Sequence, residues 1–219
     1  MLKEETIWIR NILINEFSIN DFPLLNLGSS TEKFRRTTQP YIHKNIFSPL
    51  IKTKKKVFHS DIKNEKGVDL VGDLNNKSFR DQVKLLSIKS ILCSNMLEHL
   101  SEPHIICKSI LEVLPIGGKL IVTLPLQFPF HKDPIDTMLR PTIEELHNMF
   151  PGTKCIDSEI VLSSERYIDD LRANKKYYFI MLMRWITPFY KYSEWKFIIK
   201  DFFNRKENYS ATCLLLQKQ

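Results

Sequence analysis

The sequence predicts an α/β domain: seven strands, mostly parallel, with helices on both faces and an antiparallel hairpin at one edge. Three observations carry this reading. Short apolar runs alternate with helical segments along the chain. The earlier runs are apolar through their length, as strands covered on both faces must be. The last two runs, near 154–162 and 209–217, come late enough to pair with each other. A length of 219 residues fits one domain spanning 1–219, and 43% hydrophobic with 26% charged residues excludes wholesale disorder. The six glycines and the absence of an internal repeat argue against solenoids and propellers.

The elements follow in order. Leu2, Trp8, Ile9, Ile12, Leu13 and Phe17 recur at helical spacing and predict an amphipathic opening helix over 2–17. The run from Phe22 to Gly28, followed by Ser29-Ser30-Thr31, reads as a buried strand feeding a tight turn. Lys56–Asp61 and Val68–Leu74 are the second and third strands, each closing on an acid (Asp61, Asp73), and Ile88–Ser94 is the fourth. A helix spans about Pro103–Leu114 and is stopped by Gly117-Gly118. The fifth strand is Lys119–Pro125. Thr142 then caps another helix, with Glu145 as its capping-box partner.

The net charge of +7 is unevenly placed: residues 175–206 hold eight basic against two acidic residues, and eleven of the 24 aromatics. This segment reads as a basic aromatic helical insertion, at about 165–206, before the last strand. Three uses stay open: a lid packed over a pocket, a homodimer interface, and a surface lying on anionic lipid. No recognisable nucleic-acid motif accompanies it, so no nucleic-acid partner is expected. Cys93, Cys107, Cys155 and Cys213 lie far apart without a CxxC pair, which argues for reduced thiols and against a zinc module. No apolar run reaches the ~18 residues of a membrane span, the opening residues are acidic where a signal peptide is basic, and a cytoplasmic location follows as the expectation, with peripheral contact at the membrane through 175–206.

In an open α/β sheet, ligands bind beyond the C-terminal ends of the strands. That directs attention to Gly28–Thr31, Asp61, Asp73, Ser94–His99 and Pro125–Arg140. Gly28 permits a turn whose backbone N–H groups approach a ligand. Asp61 can accept hydrogen bonds from a ribose diol, or cap its own loop, and Asp73 can accept one from an exocyclic amine, or form a turn. Together the three suit one adenosine moiety.

With Leu24–Ser30, Gly72-Asp73-Leu74, Asn95-Met96-Leu97-Glu98-His99-Leu100 and Leu114–Leu120, the chain resembles the class I S-adenosylmethionine-dependent methyltransferases over about residues 22–165. The string Phe128–Asp136 with Arg140-Pro141-Thr142 resembles a bacterial group often found in surface-polysaccharide and secondary-metabolite pathways. The resemblance implies a Rossmann-like sheet and S-adenosylmethionine as cofactor. It puts Gly28, Ser29 and Ser30 under the methionine part and Asp61 on the ribose. Asp73 then holds the adenine, Ser94 and Asn95 line the far wall, and Asn26, Ile62 and Leu74 lie beside them. It implies O-methylation of a sugar or small metabolite. Serines stand where the family often has further glycines, which keeps a second reading open: a non-catalytic binding or scaffold protein on this fold. A dehydrogenase is disfavoured, because the full glycine fingerprint is missing.

Methyl transfer from a sulfonium needs positioning, exclusion of water and, for a hydroxyl acceptor, removal of a proton. His131 is the leading base, Asp133 or Asp136 is placed to orient it, and His99 is the second candidate. Asp136 and Arg140 are expected to face the acceptor, Arg140 binding an anionic group. His131, Asp133 and Asp136 are donor types that suit a divalent ion. Nothing else in the sequence completes a shell, so no metal is expected. His43, His59, His104 and His147 read as structural or exposed.

Overall fold

The computed structural model describes residues 1–131, 135–203 and 206–219. The chain opens with α1 (Lys3–Asn15) and β1 (Leu24–Leu27). A run of helical turns follows: Phe34–Thr38, α2 (Pro40–Ile42), His43–Phe47 and α3 (Ser48–Lys52). Then come β2 (Val57–Asp61), β3 (Leu70–Val71), α4 (Lys77–Leu85), β4 (Ser90–Ser94), α5 (Pro103–Val113), β5 (Lys119–Gln127) and α6 (Ile143–Asn148). The chain closes with β6 (Thr153–Arg166), α7 (Tyr167–Ala173), α8 (Lys175–Trp185), α9 (Tyr192–Phe203) and β7 (Asn208–Lys218). The seven strands form one sheet in the order β3-β2-β1-β4-β5-β7-β6. Its first five strands are parallel, while β7 runs antiparallel to both β5 and β6.

Neighbouring residues on each strand face opposite sides of the sheet, and two hydrophobic cores follow from that alternation. Leu24, Leu92, Ile121 and Leu215 point to the layer built from α1 and the 40–52 turns, where Ile9, Ile12, Ile46 and Phe47 are buried. Leu25, Ile91, Val122 and Leu214 point to the opposite layer, packing on Val83, Ile110 and Phe150. Buried on both faces, the central strands have to be apolar throughout.

Two elements differ from the sequence reading. The third strand shrinks to Leu70–Val71, because it is an edge strand that pairs only with Ser60 and Asp61. The stretch 34–52, without a periodicity of its own, becomes short helical turns that cover β1 and β2. Elsewhere the local signals match the coordinates. Thr142 and Glu145 form the reciprocal capping box at α6, and Gly117 takes φ +75° beyond α5. Cys93, Cys107 and Cys213 are buried free thiols, with Cys155 half-buried. Among the described residues no helix is long and apolar enough to cross a membrane.

Candidate active site

All five parallel strands end at the same rim of the sheet. There the loops enclose a cavity of about 470 Å³, within the usual range for small-molecule sites of roughly 300–1,000 Å³. Asn26, Gly28, Ser29, Ser30, Asp61, Ile62, Asp73, Leu74, Ser94 and Asn95 all lie on its wall. The fold thus brings together residues from four strand ends spread across seventy positions of sequence.

The turn after β1 is built by mutual bracing. Gly28 (φ +66°) and Ser30 (φ +52°) both adopt left-handed backbone. The Ser30 N–H donates to Asp61 Oδ2 at 2.7 Å, and the Lys63 N–H donates to Asp61 Oδ1 at 3.1 Å. One carboxylate therefore pins two turns, and each oxygen keeps a second lone pair for a ligand. Asp73 accepts from the Asn75 N–H at 2.8 Å through Oδ1. Asn26 is buried and pairs through Nδ2 with His59 Nδ1 at 3.0 Å. Burial, followed by the charge of Arg35, pushes His59 down to about 4, so its Nδ1 stays a bare acceptor for the Asn26 amide.

Several site residues were missed in the sequence. Buried Arg35 donates to the carbonyls of Ser29 (2.8 Å), Ser30 (2.6 Å) and Gly67 (2.5 Å), lashing the glycine turn to the loop beyond β2. Gln39 lines the cavity with a buried Oε1 that has no hydrogen-bond partner among the described residues. Neither residue carried a periodic signal. Glu5 did: it lies on the apolar stripe of α1 and is wholly buried. It accepts from Asn95 Nδ2 (2.7 Å), Thr123 Oγ1 (2.6 Å) and the Leu2 N–H (3.0 Å). That bond holds Asn95, itself at φ +47°, in its place on the wall.

The buried Glu98 and the partly exposed His99 and His131 also line the cavity. Glu98 and His99 belong to a short 3-10 turn, Leu97–His99, directly after β4, and His131 follows β5. Glu98 is 1% exposed, and burial raises its carboxyl to about 7. His99 Nε2 lies 3.7 Å from Glu98 Oε1, and its Nδ1 meets the Ile135 carbonyl. The His99 and His131 rings meet edge to face at 5.3 Å. His131 Nδ1 is 3.1 Å from Asp136 Oδ2, and that hydrogen bond raises the His131 pKa. Asp133 lies outside the described residues.

Asp136 and Arg140, expected from the sequence to face the acceptor, are paired with each other in the structure. The Asp136 side chain is fully buried and takes a two-pronged pair from Arg140 (2.7 and 3.1 Å) together with the backbone N–H groups of His131 and Met138. Those donors hold its carboxyl far below the usual range, against the cost of burial. Neither residue lines the cavity. Asp136 lies behind His131 and contacts both its ring Nδ1 and its backbone N–H.

The basic aromatic helices α8 and α9 leave Phe179, Trp185, Tyr190 and Tyr192 exposed, and Phe189 is 91% exposed. Met181 packs into the core beside Tyr167 and Leu171. Phe197 stacks on Phe130 at 6.0 Å, so α9 touches the loop that carries His131. No described residue of α8 or α9 lines the cavity itself.

The strand order, the reversed β7 and the glycine turn after β1 that lines the cavity define a class: the chain has the class I S-adenosylmethionine-dependent methyltransferase fold. No family model matches the sequence, and no curated protein matches it. Solved structures do. A methyltransferase from Archaeoglobus fulgidus that is SAM-dependent is 11% identical with a TM-score of 0.53, covering 97% of this chain and 94% of its own. Loganic acid methyltransferase with SAH is 10% identical (TM-score 0.51; 99% and 92% covered). The [4+2]-cyclase SpnF is 16% identical (TM-score 0.55; 99% and 80% covered).

Proposed function

We propose that the protein is an S-adenosylmethionine-dependent methyltransferase acting on an oxygen of a sugar or small metabolite. The observation that carries this reading is the single cavity that gathers the glycine turn, Asp61, Asp73 and Asn95 at one rim. Asp61 has an unused lone pair on each oxygen for the two hydroxyls of a ribose. Asp73 is the acceptor for the adenine amine, and the turn at Gly28 approaches the methionine end. The acceptor oxygen attacks the methyl carbon in line, and the S–C bonding pair departs onto sulfur, discharging the sulfonium. The hydroxyl proton leaves through the cluster of Glu98, His99 and His131 on the cavity wall, of which His131 is the most open member. The fold alone does not dictate this reaction, since a cyclase shares it.

Calorimetric titration with S-adenosylmethionine tests the reading. One site per chain is expected, weakened at least ~10-fold in Asp73→Ala and Asp61→Asn, with NAD as the unbound control. Absence of binding to the folded protein would assign it instead as a scaffold on this fold. The exposed aromatic and basic face of α8 and α9 supports peripheral contact with an anionic membrane, which would bring the site to a lipid-linked acceptor.

A further inference from the structure

We propose that Glu98, His99 and His131 form a site for one divalent transition-metal ion on the wall of the cavity, with open coordination positions facing the acceptor oxygen. The sequence shows no shell for such an ion, because the donors near His131 along the chain are those of its own loop. The fold supplies the others by setting the turn after β4 against the loop after β5. One ligand atom from each of the three residues lies within 4.8 Å of the other two.

Hydrogen bonding prepares each donor. His99 Nδ1 faces the Ile135 carbonyl, which can only accept, so Nδ1 carries the proton and Nε2 keeps its lone pair. His131 Nδ1 faces the Asp136 carboxylate at 3.1 Å and the Pro129 carbonyl at 3.2 Å, both acceptors, which likewise leaves Nε2 as the ligand atom. An imidazole anchored through its other nitrogen to a carboxylate or carbonyl is the usual support for a metal-bound histidine. Asp136 supplies that support while Arg140 neutralises it. Glu98 is the independent observation: its Oε2 is buried and has no hydrogen-bond partner among the described residues. A desolvated, unpartnered carboxylate oxygen is costly until a proton or a metal cation neutralises it, and two neighbouring imidazole lone pairs add the donors that a cation needs.

Metal–ligand bonds of about 2.1 Å place neighbouring donors about 3–3.5 Å apart, so the three side chains draw closer together on loading. Two imidazoles and one carboxylate suit zinc, manganese, iron or cobalt and disfavour magnesium, which prefers oxygen donors and its own waters. A hydroxyl on an open position of the ion becomes more acidic, which eases its deprotonation before attack on the methyl carbon. That role rests on the transferase reading; the ion site itself does not.

The test uses the full chain, stripped with a chelator and titrated with Zn²⁺ by calorimetry and with Co²⁺ by its d–d absorption. One ion per chain is expected, with Mg²⁺ failing to compete. Affinity should fall at least ~100-fold in His99→Ala and in His131→Ala, and in Glu98→Gln, which keeps the side-chain shape. His104→Ala, an exposed histidine outside the cluster, should bind as the wild type does. Absence of Co²⁺ binding, or binding that survives in a folded His99→Ala/His131→Ala double variant, would overturn the site. S-adenosylmethionine binding is measured in the same samples. Cofactor bound without the ion overturns this site alone, whereas the ion bound without cofactor supports the site and overturns the transferase reading.

Discussion

Gly28 and Gly117 make a matched pair of perturbations. Both hold left-handed backbone, at φ +66° and φ +75°, where a Cβ costs about 1–2 kcal/mol. Loss of glycine's freedom in the unfolded chain offsets about 0.5 kcal/mol of that. Each alanine variant should therefore lose about 1 kcal/mol, or about 2–4 °C in Tm for a chain of this size. The two differ in their surroundings. A Cβ on Gly117 meets nothing within 4 Å, whereas on Gly28 it lies 2.7 Å from Met96 Sδ and 2.8 Å from Met96 Cγ. Ordinary contact begins near 3.4 Å, so the flexible Met96 side chain must retreat by about 0.7 Å, and Met96 lines the cavity. Gly28→Ala should weaken S-adenosylmethionine binding at least ~10-fold by calorimetry, while Gly117→Ala binds normally at a similar Tm. Equal affinity in the two variants would refute the assignment of the β1 turn to the ligand.

Three further outcomes follow from the same coordinates. His59 has a folded pKa of about 4 against an ordinary 6.5, so the unfolded chain takes up its proton first, and stability is lost as pH falls from 6.5 through 4. At about 1.4 kcal/mol per pH unit this amounts to roughly 3 kcal/mol; His59→Gln should flatten that limb of a Tm–pH curve, and parallel curves would refute it. Arg35→Met leaves three carbonyls without their donor at a buried site. It should cost about 2–5 kcal/mol in urea unfolding and weaken the cofactor, and an unchanged midpoint would show the lashing to be dispensable. The chain should co-sediment with anionic but not neutral vesicles at moderate salt, with Lys191→Glu/Lys200→Glu reducing the bound fraction at about 1 kcal/mol per charge; equal sedimentation of variant and wild type would remove α8 and α9 as the contact.

Much of this protein was written locally. The apolar runs at Leu24–Leu27, Ser90–Ser94 and Lys119–Gln127, the glycine stop after α5 and the capping box at Thr142 each depend on a few neighbouring residues, so pattern and propensity sufficed to find them. The positions of Gly28, Ser29, Ser30, Asp61, Asp73, Ser94 and Asn95 on the cavity wall were also legible, because the C-terminal ends of parallel strands converge on one rim whatever the connecting loops do, whereas Asn26, Ile62 and Leu74 came only with the family resemblance. Tertiary structure decided what depends on distant partners. The edge position shortened β3, and the guanidinium of Arg35 found its three carbonyls only once two loops met. Asp136 is buried rather than on the cavity wall, where Arg140 and the N–H groups of His131 and Met138 satisfy its carboxylate. Glu98 lost its solvent and gained His99 and His131 as neighbours, a juxtaposition that no spacing between positions 98 and 131 encodes, since it arises from two adjacent strands ending side by side.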